Sequence, residues 1–178
     1  MRIGIVFIAC IFVLCEVRSL GADKFATAKE MVQDFYEKYL PIPDKANYLK
    51  RHSPRFSNGF KRVLDQNKNY CRNHARHDVC GFGADGDRFL DAQEIAPDLT
   101  FENSGATLEE EGSGKVRLKL NVFPSQKAHQ SRYQRELLFT VVKEGGKWAI
   151  DDISYNGKSE RESLKEEMVP HRRKKRKD

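Results

Sequence analysis

The chain has 178 residues, 39% of them hydrophobic, with 32 Lys and Arg against 26 Asp and Glu for a formal net charge of +6. Arg2 and Arg18 against Glu16 leave one positive charge in residues 1–21, and six basic residues against Asp178 leave five in residues 171–178, so residues 22–170 are neutral. A neutral body excludes a nucleic-acid-binding face on the fold, because phosphate recognition needs clustered basic charge there, and no specific nucleic acid is expected as a partner.

Ile3 to Leu14 form an apolar run behind Met1-Arg2, and Ser19-Leu20-Gly21-Ala22 supply small residues for signal peptidase. Residues 1–21 read as a secretory signal, too short to cross a bilayer as a retained helix, and nothing later is comparably apolar. No transmembrane segment is expected in the mature chain. A lipid anchor would need Cys10 or Cys15 at the cleavage point; Cys10 falls too early, and Phe12-Val13-Leu14 before Cys15 lack small residues. The expectation is a periplasmic or secreted protein with one domain over 22–157 and a charged helix and disordered tail over 158–178.

Phe25, Ala28, Met31, Val32, Phe35, Tyr36 and Tyr39 recur at three- and four-residue spacing, which predicts an amphipathic helix from about Lys24 to Leu40, stopped by Pro41-Ile42-Pro43. Ser53-Pro54 predicts the start of a second helix running through Phe56, Phe60, Val63 and Leu64 toward Cys71. Cys71 and Cys80 are the two cysteines of the mature chain, and an even pair sent to an oxidising compartment is expected to close a disulfide. The competing reading, a metal site from Cys71, His74, His77 and Cys80, ranks lower because such sites draw ligands from two separated pairs. No metal and no cofactor are expected.

Gly81, Gly83 and Gly86 mark a loop, and it opens the most specific signature of the chain, Asp85-Gly86-Asp87-Arg88-Phe89-Leu90-Asp91-Ala92-Gln93-Glu94. Against a calcium loop, residues 83–94 place acids at positions 3, 5, 9 and 12 and an apolar residue at 8. They miss the first carboxylate, where Gly83 stands, and the sixth-position glycine, where Arg88 stands. The alternative is structural, with Asp85 and Asp87 capping turns, Phe89 and Leu90 plugging the core, and Gln93 bonding backbone or lining a cavity.

Strand-like segments follow at Leu99–Glu102, Thr107–Glu110, Val116–Phe123, Tyr133–Lys143 and Trp148–Tyr155, the last two joined by a Glu144-Gly145-Gly146-Lys147 hairpin turn. Val116, Leu118, Leu120 and Val122 share one face, and Arg117, Lys119 and Asn121 the other, as in a strand with one buried side. Helices first and an antiparallel sheet afterwards define an α+β domain. Lys158 to Glu167 predict a short solvated helix, and the basic run 171–178 suits electrostatic contact with anionic lipid or another polyanion.

Phe35-Tyr36-Glu37-Lys38-Tyr39-Leu40, Ser53-Pro54-Arg55-Phe56, the 85–94 string and Gly146-Lys147-Trp148-Ala149-Ile150-Asp151-Asp152-Ile153 together resemble a secreted bacterial family, domain of unknown function 3828, over nearly all of residues 24–156. Glu94 stands where that family commonly has Asp. The resemblance implies a cone like that of nuclear transport factor 2 and cystatin-like domains, with N-terminal helices packed on a curved antiparallel sheet around a cavity; it supplies no activity.

The implied cavity would be rimmed by Tyr36, Tyr39, Phe89, Gln93 and Trp148, with Asp85 and Asp87 as further ligand-binding candidates. No nucleophile–base pair stands out, and His52, His74, His77 and His129 sit in polar surroundings, so no catalytic residue is assigned. The expected protein is an exported binding or interaction module for a small ligand or an envelope protein, without turnover. Its rivals are a hydrolase or isomerase of the same scaffold, using Asp85, Asp87, Asp151 or Asp152, and a calcium-binding protein.

Overall fold

The computed structural model describes residues 23–74, 79–126 and 130–169. The expected secretory signal at 1–21, the basic run at 171–178, His77 and His129 lie outside the described residues.

Three helices precede the sheet: α1 (Ala28–Tyr39), α2 (Lys45–His52) and α3 (Asn58–His74). The amphipathic periodicity of α1 holds, with Met31, Val32, Phe35, Tyr36 and Tyr39 buried. Its start lies later than the Lys24 expected, because Thr27 and Glu30 close a capping box that satisfies the first free N–H groups. Helix α2 was not expected. Asp44 accepts from the Asn47 N–H at its start, and Lys50 and Arg51 place positive charge in its last turn.

The second expected helix is displaced as well. Arg55 and Phe56 run extended beside the sheet, bonded to Ile150, and Ser57 rather than Ser53 caps α3 by accepting the Phe60 N–H at 2.9 Å. The Ile150 N–H and carbonyl claim this stretch before helix geometry can begin.

The sheet has five strands in the order β1 (Thr107–Glu110), β2 (Lys115–Asn121), β3 (Gln134–Glu144), β4 (Lys147–Tyr155) and β5 (Lys158–Ser159), each antiparallel to its neighbour. One turn, α4 (Gln130–Tyr133), leads into β3. On β2, Val116, Leu118 and Leu120 are buried as the alternation requires. Gly145 and Gly146 form the β3–β4 turn at positive φ, the twist-matched geometry for a two-residue loop.

The register of β3 shifts between Thr140 and Val141. Gly114 fits that bulge: the Val141 N–H donates to its carbonyl at 2.6 Å, its φ is +77, and a Cβ there would stand 2.4 Å from the Val141 oxygen. Leu99 to Glu102 form no strand. Leu99 is buried all the same, in a turn-rich segment tied to the sheet by Ala96 N–H to Val122 O and Asn121 N–H to Ser104 O, both 2.9 Å.

The Cys71–Cys80 disulfide is present, with a Cα–Cα separation of 5.6 Å. Helix α5 (Glu160–Glu167) is less solvated than its composition predicts. Leu164 and Glu160 are buried where it packs on α3 and β4, so α5 joins the domain. No helix among the described residues is long and apolar enough to cross a membrane.

Candidate functional site

The 85–94 segment has almost no regular structure of its own, only a bridge between Asp87 and Ala92, yet it carries the centre of the core. The Phe89 ring lies 5.0 Å from Phe35, 5.7 Å from Tyr39, 6.2 Å from Phe56 and 5.9 Å from Phe82, centroid to centroid. Asp87 accepts the Phe89 N–H at 2.9 Å and the Tyr39 hydroxyl at 2.5 Å. The Tyr36 hydroxyl donates to the Phe89 carbonyl, and Tyr155 to that of Arg88. The structural reading of this string therefore holds for Asp87, Phe89 and Leu90, the last fully buried.

Burial pushes the Asp87 carboxyl above the usual carboxylate range, against the opposing pull of the Tyr39 hydroxyl, the Phe89 N–H and Lys45. Tyr39 is pushed up by burial and then by Asp87. Asp85 is turned to Arg88, 2.5 Å away. Among the described residues the acids of 83–94 do not converge on one point. The one converging trio is Cys71, Cys80 and Glu167, and the disulfide has consumed both thiols.

The candidate residues thus divide into three groups. Tyr36, Tyr39 and Phe89 form a closed cluster rather than a rim, at 0%, 1% and 2% exposure, because with Phe35 they pack together where α1 meets the loop. Asp85, Asp87 and Gln93 line a shallow depression of about 150 Å³. Trp148 lines a separate cleft of about 590 Å³ between α1, α2 and the start of β4.

That cleft lies within the range of ligand-binding pockets. Phe25, Met31, Phe35, Tyr48, Pro54 and Trp148 supply its apolar surface; Lys24, Lys38, Arg55 and Lys147 stand against Asp23 and Asp34 around it, with His52 beside them. Asp34 is held by Lys24, at 3.3 Å, and by Lys38. Asp23 accepts the Trp148 backbone N–H and so ties the chain before α1 to the start of β4. Arg55 donates to the Glu144 carbonyl at 2.9 Å; neither it nor Lys147 has a carboxylate partner among the described residues. The His52 ring lies tilted against Tyr48 at 4.8 Å, and Lys143 sits 4.6 Å over the Trp148 ring. The indole N–H of Trp148 is buried with no hydrogen-bond partner among the described residues.

Of this site the sequence pointed only to Trp148. A readable signal existed for Tyr48 and His52: Asp44 followed by a short run ending in Lys50-Arg51-His52 has the charge pattern of a capped helix.

A second buried carboxyl lies at the α5 start. Glu160 is 3% exposed, 3.5 Å from Arg88, and burial raises its pKa, with Arg88 opposing and Asp85, Asp152 and Glu167 adding to the rise. A carboxyl whose folded pKa exceeds its unfolded one stabilises fully below the unfolded value, and that contribution is lost as pH rises through the folded value. The melting temperature is expected to fall as pH climbs from the ordinary glutamate value of 4.5 toward neutrality, with Asp87 acting in the same direction. Glu160→Gln should raise the neutral-pH melting temperature and shrink that slope. A slope unchanged by the substitution, read by circular dichroism across the range, would assign the pH response elsewhere.

Comparison of the chain with protein-family models, with curated proteins and with solved structures finds no match in any of the three. The class established is an α+β domain, helices followed by a five-stranded antiparallel sheet.

Proposed function

We propose that the protein is an exported binding module that takes a small ligand or a partner's loop into the cleft between α1, α2 and β4, without turnover. The observation that carries this reading is the cleft itself: about 590 Å³ of partly apolar space opening beside Arg55 and Lys147, neither of which forms an ion pair among the described residues. Aromatic rings gathered in one concave surface mark a binding site, and Phe25, Tyr48 and Trp148, each only partly covered, all line this cleft.

Export is supported by the apolar run and small residues before Asp23, and by a cysteine pair suited to an oxidising compartment. Helices ahead of an antiparallel meander support the finer reading of a nuclear transport factor 2-like cone and, with it, the resemblance to domain of unknown function 3828. The basic run 171–178 would add salt-sensitive attachment to anionic lipid or another polyanion.

A hydrolase or isomerase is less well supported, since the carboxylates it would use are committed to the fold. Asp87 serves Tyr39 and Phe89, and Asp151 holds Ser57 at 2.5 Å and Arg161 at 2.7 Å. A calcium loop fares no better with Asp85 turned to Arg88.

Nile red, an uncharged dye that brightens in apolar pockets, tests the cleft without presuming a charge on the ligand. It is expected to bind the wild-type protein saturably. Ser53→Trp, which fills the cleft from an exposed position, should weaken binding at least ten-fold with the melting temperature preserved. Equal binding by the variant would move the ligand site away from this cleft.

A further inference from the structure

We infer that the ligand of this cleft is an amphipathic monocarboxylate, an acid with one ionised head and an apolar aliphatic or aryl body; the inference rests on the binding reading above. The body would lie against Phe25, Tyr48 and Trp148, and the head at the Arg55 and Lys147 side of the rim.

Charge selects the head. Lys24 and Lys38 share Asp34, so both of these cations already have a carboxylate partner. Arg55 spends one guanidinium N–H on the Glu144 carbonyl and keeps other donors, and Lys147 adjoins the only tryptophan of the chain. An ionised carboxylate placed between these cations gains charge-assisted hydrogen bonds that a hydroxyl or amide of the same shape does not.

A single negative charge is favoured over two. Asp23 lines the same rim, so Arg55 and Lys147 leave one net positive charge on that side. A phosphomonoester dianion brings one negative charge more than that side offers, while one carboxylate matches it.

Trp148 is the only tryptophan, so its emission reports this cleft directly. The purified protein is titrated at low salt with octanoate and phenylbutyrate and, in parallel, with octanol and phenylbutanol, which keep the apolar bodies and lose the charge. At least one acid is expected to bind at least ten-fold more tightly than its alcohol, with the advantage shrinking as salt rises. Arg55→Gln and Lys147→Gln should each lose at least five-fold for the acid and little for the alcohol. Lys115→Gln, the same charge change on an exposed residue remote from the cleft, should change neither.

Whichever acid binds more tightly identifies the body as aliphatic or aryl. Equal affinity for acid and alcohol, or acid affinity indifferent to both substitutions, overturns the carboxylate assignment and leaves the cleft a neutral apolar site. Absence of saturable binding by all four probes overturns the assignment too, and Nile red then decides whether the cleft binds anything. Saturable Nile red binding sensitive to Ser53→Trp would keep the binding module; its absence would remove both.

Discussion

Phe89→Ala is expected to lower the unfolding free energy by about 4 kcal/mol, and the melting temperature by roughly 12 °C, given the usual cost of emptying a phenylalanine site in a domain of this size. The site is fully enclosed, with rings of Phe35, Tyr39, Phe56 and Phe82 within 6.2 Å of the Phe89 centroid, so its walls cannot collapse without moving α1 or the sheet. The consequence reaches past the lost contact area. Phe89 anchors a loop that has little backbone pairing of its own, so the variant should also open 81–94 to proteolysis before global unfolding. Phe89→Leu retains most of the volume and should cost less than half as much. Urea denaturation of the three proteins provides the comparison; a Phe89→Ala loss below about 1.5 kcal/mol would show that the loop is not what closes the core.

Removing the Cys71–Cys80 link is expected to cost about 2.5 kcal/mol. The chain-entropy model assigns roughly that to a ring of this size, because the unfolded chain regains the freedom the bond denied it. Native contacts should change little at α3 itself and more at α5. The Glu167 carboxylate accepts the Gly81 N–H, at 3.1 Å to one oxygen, and the Asn67 amide at 2.6 Å, so the crosslink holds the residues that receive the end of α5. Cys71→Ala with Cys80→Ala, followed by urea melting and by hydrogen exchange over 160–167, checks both parts. Wild-type protein treated with a dithiol reductant should match the double variant; if reduction and substitution both cost under about 1 kcal/mol, the link adds little to stability.

How much of this could be read beforehand depended on how local the cause was. The core face of α1, the buried face of β2, the Gly145-Gly146 turn and the cysteine pair each follow from spacing within a dozen residues, and each is present. Boundaries failed where a local preference met a partner from far away. Ser53-Pro54 has the chemistry of a helix start, but Ile150 holds Arg55 and Phe56 extended and hands the cap to Ser57. Leu99 buries as deeply as any strand residue while lying in a turn, because burial follows from contact and not from backbone class. Charge along 158–167 suggested a solvated helix, and Leu164 was enough to dock it.

The ligand site shows the same division more sharply. Residue types and short-range order already told that Asp87 would cap a turn, that Phe89 and Leu90 would point inward and that Trp148 would sit at a strand start, since each depends on neighbours a few positions away. Juxtaposition was a matter for the folded chain. The bond from Trp148 to Asp23 spans 125 positions, and the cleft gathers residues from the chain before α1, from α1, from α2 and its exit, and from β4. Core packing drew Tyr36, Tyr39 and Phe89 inward as one aromatic unit, while Phe25, Tyr48 and Trp148 stay only partly covered along the cleft. Periodicity reports which face of an element is apolar; which faces meet, and what they leave uncovered, is settled by packing between elements distant along the chain.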